Sequence, residues 1–396
     1  MSDFKMLLPH DVEVILDTLA SGGFSAYVVG GAVRDSVIGK DLGDFDITTD
    51  ASPEETKALF FEYKTVDTGI KHGTVTVVMN HVPYEITTYR IDGDYKDKRH
   101  PDSVTFTREL SEDLKRRDFT VNAMAYSPNG GLVDLFGGVK DAESRIIKAV
   151  GDPYIRFGED ALRILRALRF AAVLDFEIEK ETDSAARTLK ESLLNVSGER
   201  IYSELKKLIS GKAASRIMKE YSEIIAVVLG GVEVVKYPSD EKLSDADFLT
   251  RLAAVFLLNS DSPAFDAARA LSTLKTDNLT RICTENVLNG YNKADFTDRR
   301  SILHSLRDMG EDTVRGIMKL GLLLERFNEK DRRRFSDVMS DDPVWRISDL
   351  TIGGSELLSM GYKGKEVGDT LGRLLVAVIE GECENTKASI LEFLSK

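Results

Sequence analysis

The chain has 396 residues, 42% of them hydrophobic and 30% charged, which is enough to build two or more globular domains with their own cores. Its net charge of −13 excludes a protein that coats nucleic acid through bulk positive charge, so any nucleic-acid site must be a local basic patch on an acidic body. Two widely separated cysteines, Cys283 and Cys383, exclude a disulfide framework or a cysteine-built zinc site, and with no long apolar run or signal-like leader the expected setting is the cytoplasm, away from any membrane.

Up to about residue 150, short β-rich runs alternate with helical ones, as expected of an α+β or α/β domain. AYVVGG (residues 26–31) reads as a buried strand running into two glycines and then a helix. Glycines let backbone N–H groups approach a ligand and a helix N-terminus favours phosphate, with Arg34 in reach of the same anion; an ordinary strand-to-helix turn has the same pattern. DFDITT (44–49) reads as an alternating strand that projects Asp44 and Asp46 from one face and sends Phe45 and Ile47 to the core. Such a carboxylate pair reads either as a divalent-metal site or as two exposed strand acids. Ser52-Pro53-Glu54-Glu55 has a capping serine, proline at the first helical position and acids in the first turn, and so predicts a helix start. GTVTVVM and VPYEITTYR predict a hairpin turning at Asn80-His81; Glu85 shares a face with Thr87 and is either a third metal carboxylate or a surface glutamate. RIDGDYKDKRHPDSVTF (90–106), with Asp97-Lys98-Arg99, reads as a charged loop. In KRRDFTVNAMAY (115–126), Arg116, Arg117, Asp118 and Asn122 gather ahead of an apolar run. That mixture of donors and acceptors suits a triphosphate and a sugar, or a charged helix end.

Beyond residue 150 helical periodicity takes over, with breaks predicted near 195–198, 229–231, 237–239 and 341–343. GEDALRILRALRF (158–170) sets Asp160, Arg163, Arg166 and Arg169 at three-residue intervals opposite Leu162, Leu165 and Leu168. Alone, it reads as a solvated helix face. The five histidines, His10, His72, His81, His100 and His304, are scattered without metal-ligand spacing, so no appended metal-dependent phosphohydrolase domain is expected.

In order, GGAVRD, GDFDITT, RRDFTVNAMAY and GEDALRILRALRF closely resemble the motifs of the bacterial class II tRNA nucleotidyltransferases, which include CCA-adding enzymes and poly(A) polymerases and belong to the DNA polymerase β-like superfamily. GERIYSELKKLIS (198–210) and the tail from ISDLTIGGSELLSMG to GKEVGDTLGRLL resemble the family too. The resemblance implies an α+β fold: a polymerase β-like nucleotidyltransferase head with a mixed sheet (1–148), then an all-helical neck that recognises the base (149–205), body (206–290) and tRNA-binding tail (291–396). It implies catalytic Mg²⁺ on Asp44 and Asp46, with Glu85 as the candidate third carboxylate. Gly31 and Arg34 would meet nucleotide phosphates, and Arg117, Asp118 and Asn122 the triphosphate or ribose. Asp160 and Arg163 would read the base, supported by Arg166 and Arg169.

That last role has a physical rationale. Cytosine and adenine both present an amino donor beside a ring-nitrogen acceptor, whereas uracil and guanine present a carbonyl beside an N–H. Asp160 and Arg163, one helical turn apart, offer the complementary acceptor and donor. Each unpaired polar group left by a wrong base costs roughly 1–3 kcal/mol. The implied activity is addition or repair of the 3′-terminal CCA of tRNA from CTP and ATP, without a nucleic-acid template and without an obligate protein partner. In the family, a flexible head loop is linked to the change from C to A, and the 90–106 segment supplies such a loop. A-only addition, poly(A) synthesis and a non-catalytic RNA-binding relative are the alternatives; the acidic charge disfavours the second, and intact Asp44, Asp46, Asp160 and Arg163 the third. Lys206, Lys207 and Lys212 are candidate contacts to acceptor-stem phosphates.

Overall fold

The structure is a computed structural model that describes residues 4–67, 69–93 and 104–396. The chain divides into two compact units, Met1–Gly231 and Val232–Lys396.

The first unit is built on a seven-stranded mixed sheet. Helix α1 (His10–Ser21) buries Val12, Ile15, Leu16 and Leu19, the i, i+3, i+4, i+7 stripe of an amphipathic helix. The elements β1 (Ala26–Val29), α2 (Gly31–Val37), β2 (Asp46–Thr49), α3 (Pro53–Leu59), β3 (Lys64–Val66), β4 (Thr74–Met79) and β5 (Val82–Thr88) follow. A small ladder of β6 (Arg90–Asp92) and β7 (Val104–Phe106) comes next, then α4 (Leu110–Lys115), β8 (Met124–Ser127) and β9 (Gly131–Asp134). The main sheet runs β3-β4-β5-β2-β1-β8-β9; β2 and β5 pair in parallel and the other neighbours antiparallel. Alternation sends Val75, Val77 and Met79 of β4 inward with Ile47 and Ile86; each such side chain contributes roughly 1.5–3 kcal/mol when fully buried.

Local chemistry accounts for several predicted features. Ser52 and Glu55 form a capping box at the start of α3 with Pro53 in the first turn. The β4–β5 hairpin pairs Met79 with Val82 across Asn80 and His81, both at positive φ, the geometry a two-residue turn needs to match strand twist. The ends of the 90–106 segment pair, Arg90 opposite Phe106, as a two-stranded ladder. Its centre, including Asp97, Lys98 and Arg99, lies outside the described residues.

Two expectations are corrected. The DFD strand begins at Asp46; Asp44 and Phe45 belong to the irregular stretch before it, so strand alternation does not itself place Asp44 beside Asp46. Phe45 does pack on the core. Asp160 lies outside the arginine helix. Helix α5 (Gly138–Glu143) and strand β10 (Ile146–Ile147) are followed by α6 (Pro153–Glu159), and Asp160 ends α6 in extended conformation, φ −139 and ψ 104. Helix α7 starts two residues later (Leu162–Leu174). Its Leu162, Leu165 and Leu168 are buried as expected, and so is Arg163.

The unit closes with β11 (Glu177–Ile178), α8 (Lys180–Thr188), α9 (Gly198–Ile209), α10 (Ala214–Glu220) and α11 (Ser222–Val228). Gly211 packs against the α7 backbone: a Cβ there would sit 2.7 Å from the Ala172 carbonyl carbon. The second unit is helical, from α12 (Asp240–Leu243) to α21 (Lys387–Ser395), and the predicted breaks at 229–231, 237–239 and 341–343 all fall between helices. Its core includes Phe296 edge-on to Phe327 and Phe335.

Candidate active site

A cleft of about 770 Å³ opens in the first unit where the end of β1, the start of β2, the segment after α4, and helices α7 and α9 converge. Among the described residues eight arginines line it against three carboxylates, Asp46, Asp118 and Asp160. This is the local basic patch that the acidic composition demanded.

The arginines are held by a continuous polar network. Arg34, buried, donates Nε and Nη2 to Asp35 at 2.9 and 3.0 Å and Nη1 to the Asn122 side-chain oxygen at 2.7 Å. Asn122 donates to Asp118 at 3.3 Å. Asp118 accepts from Arg166 Nε at 2.8 Å, and Arg166 and Arg169 both reach Glu204 of α9, at 3.5 and 2.6 Å. Phe170 lies beneath three of these cations, with the Arg169 guanidinium 3.7 Å from its ring centroid and those of Arg34 and Arg166 at 5.5 Å; such contacts contribute about 0.5–2 kcal/mol each. Burial opposes ionisation of Asp118, but Arg166, helped by Arg163 and Asn122, outweighs it and the carboxyl is held below the usual range. Burial in turn lowers Arg169, countered chiefly by Glu204.

A second anchor is Asp113 on α4, whose side chain is fully buried. It accepts from Arg116 Nε and Nη2 at 3.0 and 2.7 Å, from Arg117 at 3.1 Å and from the Thr48 hydroxyl at 3.3 Å. Burial works against its charge; Arg116 and Arg117 prevail and its pKa is lowered. Glycine at 30 is favoured by its backbone, at φ +75; a Cβ there would stand at ordinary contact distance, 3.5 Å from Arg117 Nη1 and 3.9 Å from Asp46 Oδ2.

Asp46 lines the cleft at the start of β2. Glu85 follows from the β2–β5 register: Ile47 pairs with Ile86, so the preceding residues of both strands share the opposite face. Desolvation raises the Asp46 pKa, Arg117 opposes this, and Glu85 and Asp44 add to it. Three hard oxygen donors with overlapping negative fields are the setting that a divalent cation relieves. Carboxylates of this kind suit a hard cation that also takes substrate phosphate oxygens; among the described residues no three such side chains are drawn together into a ready metal cage. Asp44 and Glu85 are exposed and neither lines the cleft.

Asp160 and Arg163 both line the cleft; the Arg163 N–H donates to the Asp160 carbonyl at 3.0 Å, but their side chains bond to other partners. Asp160 accepts from the Leu162 backbone N–H at 3.1 Å and from Arg200 at 2.7 Å. Arg163 donates to Glu159 at 2.5 Å and to the backbone oxygens of Arg156 and Arg116 at 3.1 and 3.4 Å.

Three comparisons bear on this arrangement. Residues 26–148 match the family model for the poly(A) polymerase head domain, 175–223 a model for the RNA- and SrmB-binding site of polymerase A, and 250–394 a model for tRNA nucleotidyltransferase domain 2. The chain is 38% identical to a CCA-adding enzyme of Bacillus licheniformis and 36% to one of Lactobacillus delbrueckii subsp. bulgaricus, each over 96% of both chains. It belongs to the CCA-adding family of tRNA nucleotidyltransferases. A crystal structure of the Bacillus stearothermophilus CCA-adding enzyme in complex with CTP has a TM-score of 0.79 to it at 31% identity, covering 98% of each chain.

Of the residues singled out by the motifs, Gly31, Arg34, Asp46, Arg117, Asp118, Asn122, Asp160, Arg163, Arg166 and Arg169 line this one cleft. Lys206, Lys207 and Lys212 are exposed and do not line it. Arg200, Glu204 and Asp113 were missed as functional residues. For two of them a signal existed. Glu204 falls in the apolar stripe Ile201, Leu205, Leu208, and Asp113 lies beside Leu114 three residues after Leu110. A carboxylate on the inward stripe of a helix must find a cation. Nothing in the sequence marks Arg200 as the partner of Asp160.

Proposed function

We propose that this chain completes or repairs the 3′ end of tRNA with C, C and A, taking CTP and ATP and releasing pyrophosphate. The observation that carries this reading is that one arginine-rich cleft is lined by Asp46 of the DFD motif and by Asp160 and Arg163. The relatives named above are CCA-adding enzymes.

In this reading Asp44 and Asp46 hold Mg²⁺, with Glu85 as a third donor. A divalent ion held there would lower the pKa of the RNA 3′-hydroxyl and offset charge on the α-phosphate. The chain's own residues do the rest. Arg34 and Arg117 neutralise the triphosphate beside the close backbone approach at Gly30 and Gly31, and Arg117 stabilises the charge that develops on the leaving pyrophosphate. Asn122 and Asp118 face the ribose and hold Arg34 and Arg166 in register. Asp160 accepts the exocyclic amino group of C or A while Arg163 donates to the ring nitrogen, and U and G leave both partners unpaired. Arg166 and Arg169, stacked on Phe170, keep the wall of that pocket rigid. Lys206, Lys207 and Lys212 contact acceptor-stem phosphates.

The same reading divides the chain into a catalytic head (1–148), neck (149–205), body (206–290) and tail (291–396), the break after Gly231 falling inside the body, and places the enzyme with its tRNA in the cytoplasm.

The test uses purified protein, Mg²⁺ and transcripts of one tRNA ending before CCA, after C and after CC, each given the four nucleotides singly and together, with the products sequenced. Completion to CCA from all three is expected. A-only addition to the CC transcript would mean one half of a split pathway, long A tails a poly(A) polymerase, and no incorporation an RNA-binding relative.

A further inference from the structure

A second cleft, of about 290 Å³, lies at the far ends of the helices that build the first. Lys40 follows α2, Arg145 stands between α5 and β10, and Lys212 lies in the link from α9 to α10. Among the described residues none of the three cations has an ion pair or a side-chain hydrogen bond, in contrast to the arginines of the first cleft. Each stands on a fixed backbone. The Lys40 N–H donates to the Asp35 carbonyl at 2.8 Å. Arg145 is held at φ 57, with its carbonyl accepting from Glu177 N at 2.9 Å. Lys212 is bracketed by Gly211 packed on Ala172 and by the Ala213 N–H donating to the Ala172 carbonyl at 2.9 Å.

The walls between them are apolar, formed by Val37, Ile38, Leu174 and Phe176. Burial in this cleft, and then the charge of Lys212, lower the pKa of Lys40; Arg34 and Arg145 add to the effect, and the charge of Asp35 offsets only part of it. The three like charges are exposed at the edge of one recess with no carboxylate paired to them among the described residues, which is the condition that a bound anion relieves. Phe176 is only 3% exposed, so no aromatic face is offered for a base to stack on. The recess is suited to a phosphate and its sugar rather than to a nucleobase. Glu143, the one acid lining it among the described residues, is an acceptor for a ribose hydroxyl.

We infer that this cleft binds a backbone phosphate of the RNA substrate. The inference rests on the proposed tRNA nucleotidyltransferase reading and extends it. Helix α2 carries Arg34 into the first cleft and leads to Lys40 in the second, and its seven residues span only about 10 Å. The two clefts are thus one short helix apart, within the span of a few nucleotides of one RNA strand.

The test compares the full-length protein with the Lys40→Ala/Arg145→Ala/Lys212→Ala variant and with the milder Lys40→Gln/Lys212→Gln variant, each checked for an unchanged thermal unfolding midpoint. Binding of a tRNA lacking CCA is measured across a salt series, and KM for RNA and for CTP separately. The triple variant is expected to bind RNA roughly tenfold more weakly at low salt, with a salt slope shallower by about 0.7–0.9 for each phosphate no longer neutralised and CTP KM within about twofold. The glutamine pair should show the same change at smaller size. Unchanged RNA affinity and slope in a folded variant overturn the inference. So does a raised CTP KM with unchanged RNA binding, which would assign the recess to free nucleotide. Binding needs no turnover, so a wild-type protein that binds tRNA without extending it would refute the proposed activity and leave this test intact.

Discussion

Arg200 of α9 holds Asp160 at 2.7 Å, and this ion pair, not a pairing with Arg163, fixes the carboxylate in the cleft. Asp160 sits in an extended link between two helices, where its carboxylate accepts one other hydrogen bond among the described residues, from the Leu162 N–H. A side chain asked to distinguish donors from acceptors must be held still, and here a neighbouring helix does so.

Arg200→Ala is accordingly expected to raise KM for CTP and ATP by roughly 10- to 100-fold, the equivalent of about 1.5–3 kcal/mol for a charge-assisted hydrogen bond, and to increase UTP and GTP misincorporation. Arg200→Lys should recover part of the loss. Steady-state kinetics with each nucleotide read this; unchanged selectivity in Arg200→Ala would mean that Asp160 is held by other means.

Arg163→Ala should relax nucleotide choice more than it lowers the rate with CTP, because it removes the donor half of the base-reading pair and leaves Asp46 untouched. Single-nucleotide incorporation with all four triphosphates measures the ratio. An unaltered preference for C and A would remove Arg163 from base reading.

Asp46→Asn keeps the shape of the side chain and removes its charge. Incorporation should fall by at least about a thousandfold. The thermal midpoint should hold or rise, since desolvation already disfavours the carboxylate form of Asp46. Near-normal turnover in the folded variant would take Asp46 out of the chemistry.

Asp113→Asn should destabilise the first unit by about 2–4 kcal/mol, because it leaves Arg116 and Arg117 facing a neutral partner around a fully buried site. The pH dependence follows from the lowered pKa. A carboxyl whose folded pKa lies below its unfolded value of about 3.9 contributes stability above that value and loses it as pH falls through the folded pKa. Denaturant titrations should therefore show the wild-type and Asp113→Asn stabilities converging below about pH 4 and separated at neutral pH. A gap that stays constant across that range would show that the charge of Asp113 is not what matters.

How much of this was legible in the sequence depends on range. Features set by nearest neighbours were readable: the Ser52 capping box, the Asn80-His81 turn, the glycine after β1 and the leucine ridge of α7. Motif order brought Arg34, Asp46, Arg117 and Arg163 to one cleft. Two local readings failed because tertiary bonds displaced the regular continuation. Asp160 gave up helical geometry to meet Arg200, and β2 begins one residue after Phe45, which packs on the core. Pairings such as Asp118 with Arg166, or Glu204 with Arg169, join segments tens of residues apart and leave no periodic trace, although a carboxylate set in an apolar stripe does announce that a partner exists.

The network from Arg34 through Asn122, Asp118 and Arg166 to Glu204 crosses the limits of the family models, which end one segment at residue 148 and begin the next at 175, leaving Arg166 and Arg169 in neither. The site is therefore assembled by side chains from several segments at once. A chimera that took α9 from a relative would bring a foreign partner for two arginines it did not bring, and a single substitution at Glu204 or Asp118 narrows what its neighbours can become. The chain of charges behaves as one unit, which none of the contributing segments holds alone.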